Sequence, residues 1–279
     1  MTTQDWDPDV FDAFEAVGWE ERAADYAAML VDVTAHAVED LLDAARVGPG
    51  TRVLDVAAGP GHVSKACANR GAQPVGLDVA HEMVAVARAR YPDLDFRQGD
   101  AHHLPFADRS LDSIVGNFAI LHLGRPERAV AEFVRVLAPG GSLALSTWDT
   151  PDRTRMIGVF LDAAEEADAK PLPHVPAGPP FFRFADDTEF STLLSDAGLA
   201  KVTVRRFAYQ HCFADADALW EAIRRGTVRT RGLVFDQQSD VLARIRQAYE
   251  RLLPDYTGDD GRVEMPISVK IAAGTRAAD

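Results

Sequence analysis

Arg52-Val53-Leu54-Asp55-Val56-Ala57-Ala58-Gly59-Pro60-Gly61-His62 decides the architecture of this chain. A short aliphatic, β-favouring run ends beyond an acid, passes through a turn of tiny side chains and opens a helical stretch over His62–Arg70, with Val63, Ala66 and Cys67 on one face. Small residues in such a turn let backbone N–H groups approach a ligand closely. The helix N-terminus that follows adds positive potential for a carboxylate or phosphate. A dinucleotide-binding loop would read Gly-x-Gly-x-x-Gly, but counting from Gly59 the last position is Ser64, and no Gly-Lys-Ser/Thr phosphate loop is present.

Downstream, the same alternation repeats. Pro74–Leu77 reads as a second strand with Glu82–Arg90 as its helix, Leu94–Arg97 as a third strand and Ser113–Gly116 as a fourth. Pro126–Leu137 has Val130, Phe133, Val134 and Leu137 at helical spacing, and Ala138-Pro139-Gly140-Gly141 stops it before the strand Ser142–Trp148. Strands alternating with helices imply right-handed crossovers and a parallel sheet covered on both faces, with ligands at the carboxyl ends of the strands.

The flanks differ from this core. Upstream, apolar positions from Leu30 to Ala45 recur at helical spacing, so one side of residues 26–46 is expected to be buried, and Val47-Gly48-Pro49-Gly50 ends the helix with a left-handed glycine. Residues 171–184 carry five prolines and the cluster Phe181-Phe182-Arg183-Phe184, which suits a rigid loop. Asp187–Ala197 reads as a helix, Lys201–Tyr209 and Val263–Ala272 as strands, and the residues between those strands as a helical insertion. The expected fold is therefore α/β, a doubly wound Rossmann-like, mostly parallel sheet, with an N-terminal helical cap and the insertion before the last strand. It forms one domain over 1–279: cap 1–48, core 49–150, and a substrate-side loop, last strands and insertion over 151–279.

Composition limits the partners. The 279 residues carry 29 Lys+Arg against 43 Asp+Glu, a net charge of −14, and residues 1–50 alone hold twelve acids against Arg22 and Arg46. Such a field does not attract a phosphate backbone, so nucleic acid is not an expected partner, and the acidic run reads as a solvated helical face. No apolar run is long enough to span a bilayer, and the opening Met1–Asp7 lacks the basic and apolar regions of a secretion signal, so the expected location is the cytoplasm. Cys67 and Cys212 are too few for a disulfide framework or a four-thiolate zinc site and are expected to be buried, and no other spacing marks a metal.

Polar groups collect at the strand ends. Asp78 closes the second strand, 17 residues after Gly61, where a carboxylate can accept both hydroxyls of a ribose or cap the next helix. Asp100-Ala101 closes the third, suited to an exocyclic amine or to a turn, and Asn117 closes the fourth. With these in place the chain resembles the class I S-adenosylmethionine-dependent methyltransferases, in particular the bacterial small-molecule branch similar to ubiquinone/menaquinone-biosynthesis enzymes. The resemblance rests on Val53–Gly61, Gly76-Leu77-Asp78-Val79, Gly99–Phe106, Asn117–His122 and Arg135–Gly141, and more weakly on Trp19–Tyr26. The family usually has Gly where Ala57 stands, so the methyl group narrows the approach to the cofactor.

The resemblance implies S-adenosyl-L-methionine as cofactor, seven strands with an antiparallel end, and a methyl transfer to a small-molecule acceptor. Ala57, Ala58 and Gly59 would line the methionine part; Asp78 would hold the ribose; Val79 would pack on the adenine. Asp100 and Ala101 would meet the adenine amine edge, Asn117 the methionine moiety, and Asp55 would orient the loop from behind. Tyr26 would close over the cofactor and Met83 pack beside the adenine.

On the acceptor side, His122 is the first candidate for a general base, because imidazole with an ordinary pKa of about 6.5 suits proton transfer at neutral pH. His211 is the second, and His102-His103 reads as a solvated turn. Trp148, Phe181 and Phe182, with Phe184 and Trp220, offer apolar area for an aromatic or polyketide-like secondary metabolite. Arg224, Arg225, Arg229 and Arg231 form a basic cluster suited to an anionic acceptor group or to pairing along a helix face. A monomer or homodimer is expected. The alternative is a protein of this fold and cofactor that catalyses a non-methylating cyclisation or only binds a ligand.

Overall fold

The structure is a computed structural model in which residues 6–278 are described; Met1–Asp5, where most of the missing-secretion-signal reading falls, lie outside the described residues. Three helices lead in: α1 (Pro8–Met29), α2 (Val31–Ala35) and α3 (Val38–Ala44). Asp7 starts α1 by accepting from the backbone N–H of Asp9 at 2.9 Å and of Val10 at 3.3 Å, with Pro8 in the first turn, where a missing N–H leaves no bond unmade. The single helix expected over 26–46 is cut at Leu30 and again at His36-Ala37. Thr34 explains part of the break: its Oγ1 donates towards the carbonyls of Leu30 and Val31, both at 3.2 Å, in competition with regular helix bonding. The expected buried side survives in pieces, as Val33, Val38, Leu41 and Leu42. The residue that turns left-handed after α3 is Arg46 (φ 55°), and Gly50 (φ 77°) follows only at the next turn.

The core then alternates as expected: β1 (Arg52–Val56), α4 (His62–Asn69), β2 (Gln73–Asp78), α5 (His81–Arg90), β3 (Asp95–Gln98), β4 (Leu111–Gly116), α6 (Pro126–Val136) and β5 (Leu137–Trp148). Beyond it come α7 (Arg155–Glu166), α8 (Asp187–Asp196), β6 (Leu199–Phe213), α9 (Ala216–Gly226), α10 (Arg229–Val234), α11 (Ser239–Leu252) and β7 (Val263–Arg276). Helix α7 stands where the substrate-side loop was expected to open, ahead of the proline-rich 171–184. Met156, Ile157, Val159, Phe160, Ala163 and Ala164 are buried at helical spacing, a signal hidden by the prolines that follow and by the lack of a side-chain cap at its start.

All seven strands form one sheet in the order β3-β2-β1-β4-β5-β7-β6. The first five pair in parallel, and β7 runs antiparallel between β5 and β6. This is the Rossmann-like sheet expected, with α9, α10 and α11 as the insertion before the last strand. One apolar layer joins the sheet to α2, α3, α7, α9 and α11; the other joins it to α6 and α8. The chain steps from β1 to β2 on one side and later to β4 on the other, which leaves a crevice at the carboxyl end of β1. No described helix is long and apolar enough to cross a membrane.

Candidate active site

A cavity of about 590 Å³ opens over that crevice, floored by the ends of β1, β2 and β4 and roofed by α1. Its floor begins with a strained turn. Ala57 holds φ at 51°, Gly59 at 50° and Gly61 at 83°. A Cβ at Gly61 would stand 2.6 Å from the Phe96 ring, so the helix entry needs glycine twice over, for backbone angle and for space. At Gly59 a Cβ would meet nothing nearer than the Met83 sulfur and Tyr26 ring at 3.9 Å, so the turn faces open cavity there.

Beneath the turn, Asp55 is buried and accepts the Ser64 hydroxyl at 2.6 Å, while its other oxygen has no partner. Burial pushes its carboxyl up to about 7. Asp78 is also buried. Its Oδ2 accepts the Gly59 N–H at 2.8 Å and its Oδ1 the Ala80 N–H at 2.9 Å. It therefore ties the loop to the residue that precedes α5, a helix with no side-chain cap of its own, and burial raises it to about 6. A carboxylate has about four lone-pair positions, so two remain for a ligand. Val79 beside it is 46% exposed, an unusual aliphatic surface that offers a flat base a platform. Asn117 spans floor and roof: its Nδ2 donates to the Thr34 carbonyl at 3.1 Å and its Oδ1 accepts the Ser146 hydroxyl at 2.7 Å. Tyr26 Oη lies 3.1 Å from Thr34 Oγ1, and burial holds the phenol protonated, up to about 12.

Ala57, Ala58, Gly59, Asp78, Val79, Met83, Asp100, Ala101, Asn117 and Tyr26 all line this one cavity, together with His122, Trp148 and Phe181. Other sequence expectations fall elsewhere. Phe182 lies off the cavity, edge-on to Phe181 at 4.9 Å between centroids. Phe184 stacks at a tilt with Phe190 in the second apolar layer, and Trp220 belongs to a core cluster with Phe160, Phe235 and Tyr249. The apolar interior of the sheet and helices took both because each is a large side chain on an inward face. His211 sits outside the cavity with its Nδ1 3.2 Å from His36 Nε2. Cys212 is only half-buried, beside Arg262, whereas Cys67 is buried.

His102-His103 does lie in a turn, but only one of its two imidazoles is solvated. His102 is buried and its Nδ1 faces Asp100 Oδ1 at 2.9 Å, while exposed His103 faces Asp100 Oδ2 at 3.2 Å. The Asp100 carboxylate also accepts the His102 backbone N–H at 2.8 Å, so it organises the rim of the cavity. Glu20, His81 and Glu82 bring three potential metal-ligating atoms within 4.8 Å of one another on the exposed side of α5.

The residue that sequence reasoning missed is Glu15. It is 3% exposed on α1, and its Oε2 accepts from Trp19 Nε1 and from His122 Nδ1, both at 2.9 Å. A carboxylate only accepts, so Nδ1 of His122 carries a proton, and in the neutral imidazole Nε2 keeps its lone pair. The Trp19 ring stands edge-on to the imidazole at 5.0 Å and Phe181 at 6.5 Å. Spacing of four between an acid and a tryptophan on one helix was the available signal, but the partner His122 lies 107 residues away. Trp148 stacks on Phe118 at 3.8 Å, closing the far wall.

The arrangement can hold a nucleoside over the Gly59 turn and deliver a second molecule to an oriented imidazole. Comparison with known proteins gives the family. The methyltransferase-domain family profile matches residues 54–145. A demethylmenaquinone methyltransferase of Renibacterium salmoninarum is 34% identical over 173 residues, 59% of this chain and 73% of the relative. Among solved structures, the YcgJ protein of Bacillus subtilis aligns over 88% of this chain and all of its own, with a TM-score of 0.58 and 18% identity. The [4+2]-cyclase SpnF aligns over 88% of this chain and 82% of its own, with a TM-score of 0.53 and 18% identity.

Proposed function

The chain belongs to the class I S-adenosylmethionine-dependent methyltransferases, and from that premise we propose that it methylates an oxygen, nitrogen or carbon atom of a small, flat, aromatic or polyketide-like metabolite in the cytoplasm. The observation that carries this is one cavity whose floor bears the small-residue turn and Asp78, and whose wall bears His122, Trp148 and Phe181. The name of the Renibacterium relative, a demethylmenaquinone methyltransferase, supports a quinone-like or other aromatic ring.

The residues fit S-adenosylmethionine. Asp78 keeps acceptor capacity for two ribose hydroxyls, exposed Val79 with Met83 and Ala101 suits an adenine face, and the open Gly59 turn with Ala57, Ala58 and Asn117 suits an amino-acid tail. Bound there, the cofactor supplies a methyl group already activated on a sulfonium. What remains for the chain is alignment, exclusion of water and removal of one proton. Alignment of two reactants in a closed cavity is worth roughly 7–11 kcal/mol. Glu15 holds the imidazole in the tautomer whose Nε2 accepts the acceptor's proton, and Trp19, Phe181 and Trp148 keep that space dry. The partner is a small molecule rather than nucleic acid, in keeping with the charge of −14.

Incubation of the protein with S-adenosylmethionine and a panel of hydroxylated naphthalenes, quinols and anthracyclic polyketides, read by mass spectrometry, tests this. Addition of 14 Da to an acceptor with stoichiometric S-adenosylhomocysteine is expected. A ring-closed, unmethylated product without S-adenosylhomocysteine would instead favour the cyclase alternative.

A further inference from the structure

The four arginines of the insertion do not share one fate. Arg224 pairs with Glu221 at 2.5 Å, Arg225 with Asp25 at 2.5 Å and Arg231 with Asp236 at 2.8 Å. Arg229 pairs with no carboxylate among the described residues. It turns into the cavity, with its guanidinium carbon 5.1 Å from the Phe11 centroid and 5.2 Å from that of Phe181. One N–H group donates to the Pro179 carbonyl at 2.9 Å, and a second approaches the Leu121 carbonyl at 3.5 Å. A guanidinium carries five N–H donors in a fixed fork, so about three are unused. Burial weakens its hold on the proton, and the charge of Glu15 acts in the opposite sense. Glu15 makes no ion pair with it: Oε2 is committed to Trp19 and His122, and the buried Oε1 has no hydrogen-bond partner. A half-buried guanidinium with no contacting carboxylate keeps its spare donors for a ligand to complete.

Its setting says what the ligand is. The Phe11 and Phe181 rings flank the guanidinium, Phe181 also faces the His122 ring, and Arg229 and His122 line the same cavity. A forked donor held this way matches a planar anionic oxygen pair better than a neutral carbonyl. On the reading of this cavity as the acceptor site of a methyltransferase, we infer that the acceptor carries an anionic oxygen group, a carboxylate or an ionised 1,3-dicarbonyl enol, that is held by Arg229 while another atom of the same flat skeleton faces His122. Arg229 is thus a specificity residue for charge.

The test uses 6-hydroxy-2-naphthoate and its neutral counterpart 6-hydroxy-2-naphthamide, with ionised 2-acetylcyclohexane-1,3-dione as the enolate arm. Each is titrated calorimetrically into the full chain saturated with S-adenosylhomocysteine. The acid or the enolate is expected to bind at least tenfold more tightly than the amide, and whichever binds identifies the source of the anion. Arg229→Gln is expected to abolish that preference and Arg229→Lys to retain part of it, both with the S-adenosylhomocysteine affinity of the parent, which also reports that the variants are folded. Equal affinity of anion and amide, a preference that survives Arg229→Gln, or no binding of any probe at millimolar concentration would overturn the inference. Failure of S-adenosylhomocysteine itself to bind the parent chain would strike at the methyltransferase reading instead.

Discussion

Asp78→Asn separates what this carboxylate does for the loop from what it does for the cofactor. An asparagine keeps one oxygen and turns an amide N–H₂ towards either the Gly59 or the Ala80 N–H, which lie 2.8 and 2.9 Å from the carboxylate. One bond to a charged acceptor, about 1.5–3 kcal/mol, is lost. Burial works the other way. It raises the carboxyl from 3.8 to about 6, so keeping it ionised at pH 8 costs about 3 kcal/mol that a neutral amide avoids. The two terms nearly offset, and Tm at pH 8 is expected to move by no more than about 3 °C. Cofactor binding has no such compensation. Loss of one charge-assisted bond to a ribose hydroxyl corresponds to roughly 10- to 150-fold weaker S-adenosylhomocysteine binding. The pH dependence follows from the same shift. In the parent chain the affinity should fall as pH drops through about 6 and Asp78 takes up a proton, whereas the variant should be flat there. Stability runs oppositely, because a raised carboxyl contributes most below its unfolded value and loses that contribution as pH rises through about 6. Calorimetry at pH 5, 6, 7 and 8 with thermal scans in the same buffers measures both. Parent-like affinity at pH 8, or an identical pH profile in the variant, would refute the ribose assignment.

Three further outcomes are expected. Ala57→Gly relieves a left-handed alanine at φ 51°; the strain of about 1–2 kcal/mol exceeds the entropy glycine adds to the unfolded chain, about 0.5–1 kcal/mol, so a thermal scan should show a rise of about 2 °C, and a fall would contradict the strain. Asp55→Asn should raise Tm at pH 8 and not at pH 5, since burial lifts this carboxyl to about 7 and its stabilising contribution is lost as pH rises through that value. His122→Gln should lower turnover about 100-fold with S-adenosylhomocysteine affinity unchanged, and full turnover would remove the imidazole as base.

The cofactor half of the site was legible because each of its groups sits at a strand end a few residues from its neighbours. Val53–Gly61 announces a strand, a turn and the entry to a helix in nine positions, and Asp78, Asp100 and Asn117 fall at successive strand ends by the same rule. The dual reading of Asp78 as ligand or cap could not be split from sequence; in the structure α5 has no side-chain cap, and Asp78 instead accepts the N–H of Ala80 just before it, with acceptor capacity left over. The acceptor half was not legible because its members meet across the fold. Glu15 and His122 are separated by 107 residues and Arg229 and Leu121 by 108, and neither separation leaves a local period. Aromatic residues misled for the opposite reason. Phe184 and Trp220 look like acceptor walls in a list but lie on inward faces, where burial of a large ring is the ordinary outcome.

The acidic cap gains a second meaning from the same geometry. Its rim contacts are ion pairs, Asp25 with Arg225, Asp9 with Arg125, and Glu39 and Asp43 with Arg70, and each has an exposed partner. Pairs of that kind are worth about 0–1 kcal/mol each and are screened by salt. Two other polar links of the cap lie inside the cavity, Glu15 to His122 and Thr34 to Asn117. Those two links are made by groups that would also handle the ligands. Whatever binds between them must either preserve those two links or replace them, so ligand occupancy and the seating of α1 are coupled through Glu15 and Thr34 rather than through the charged rim.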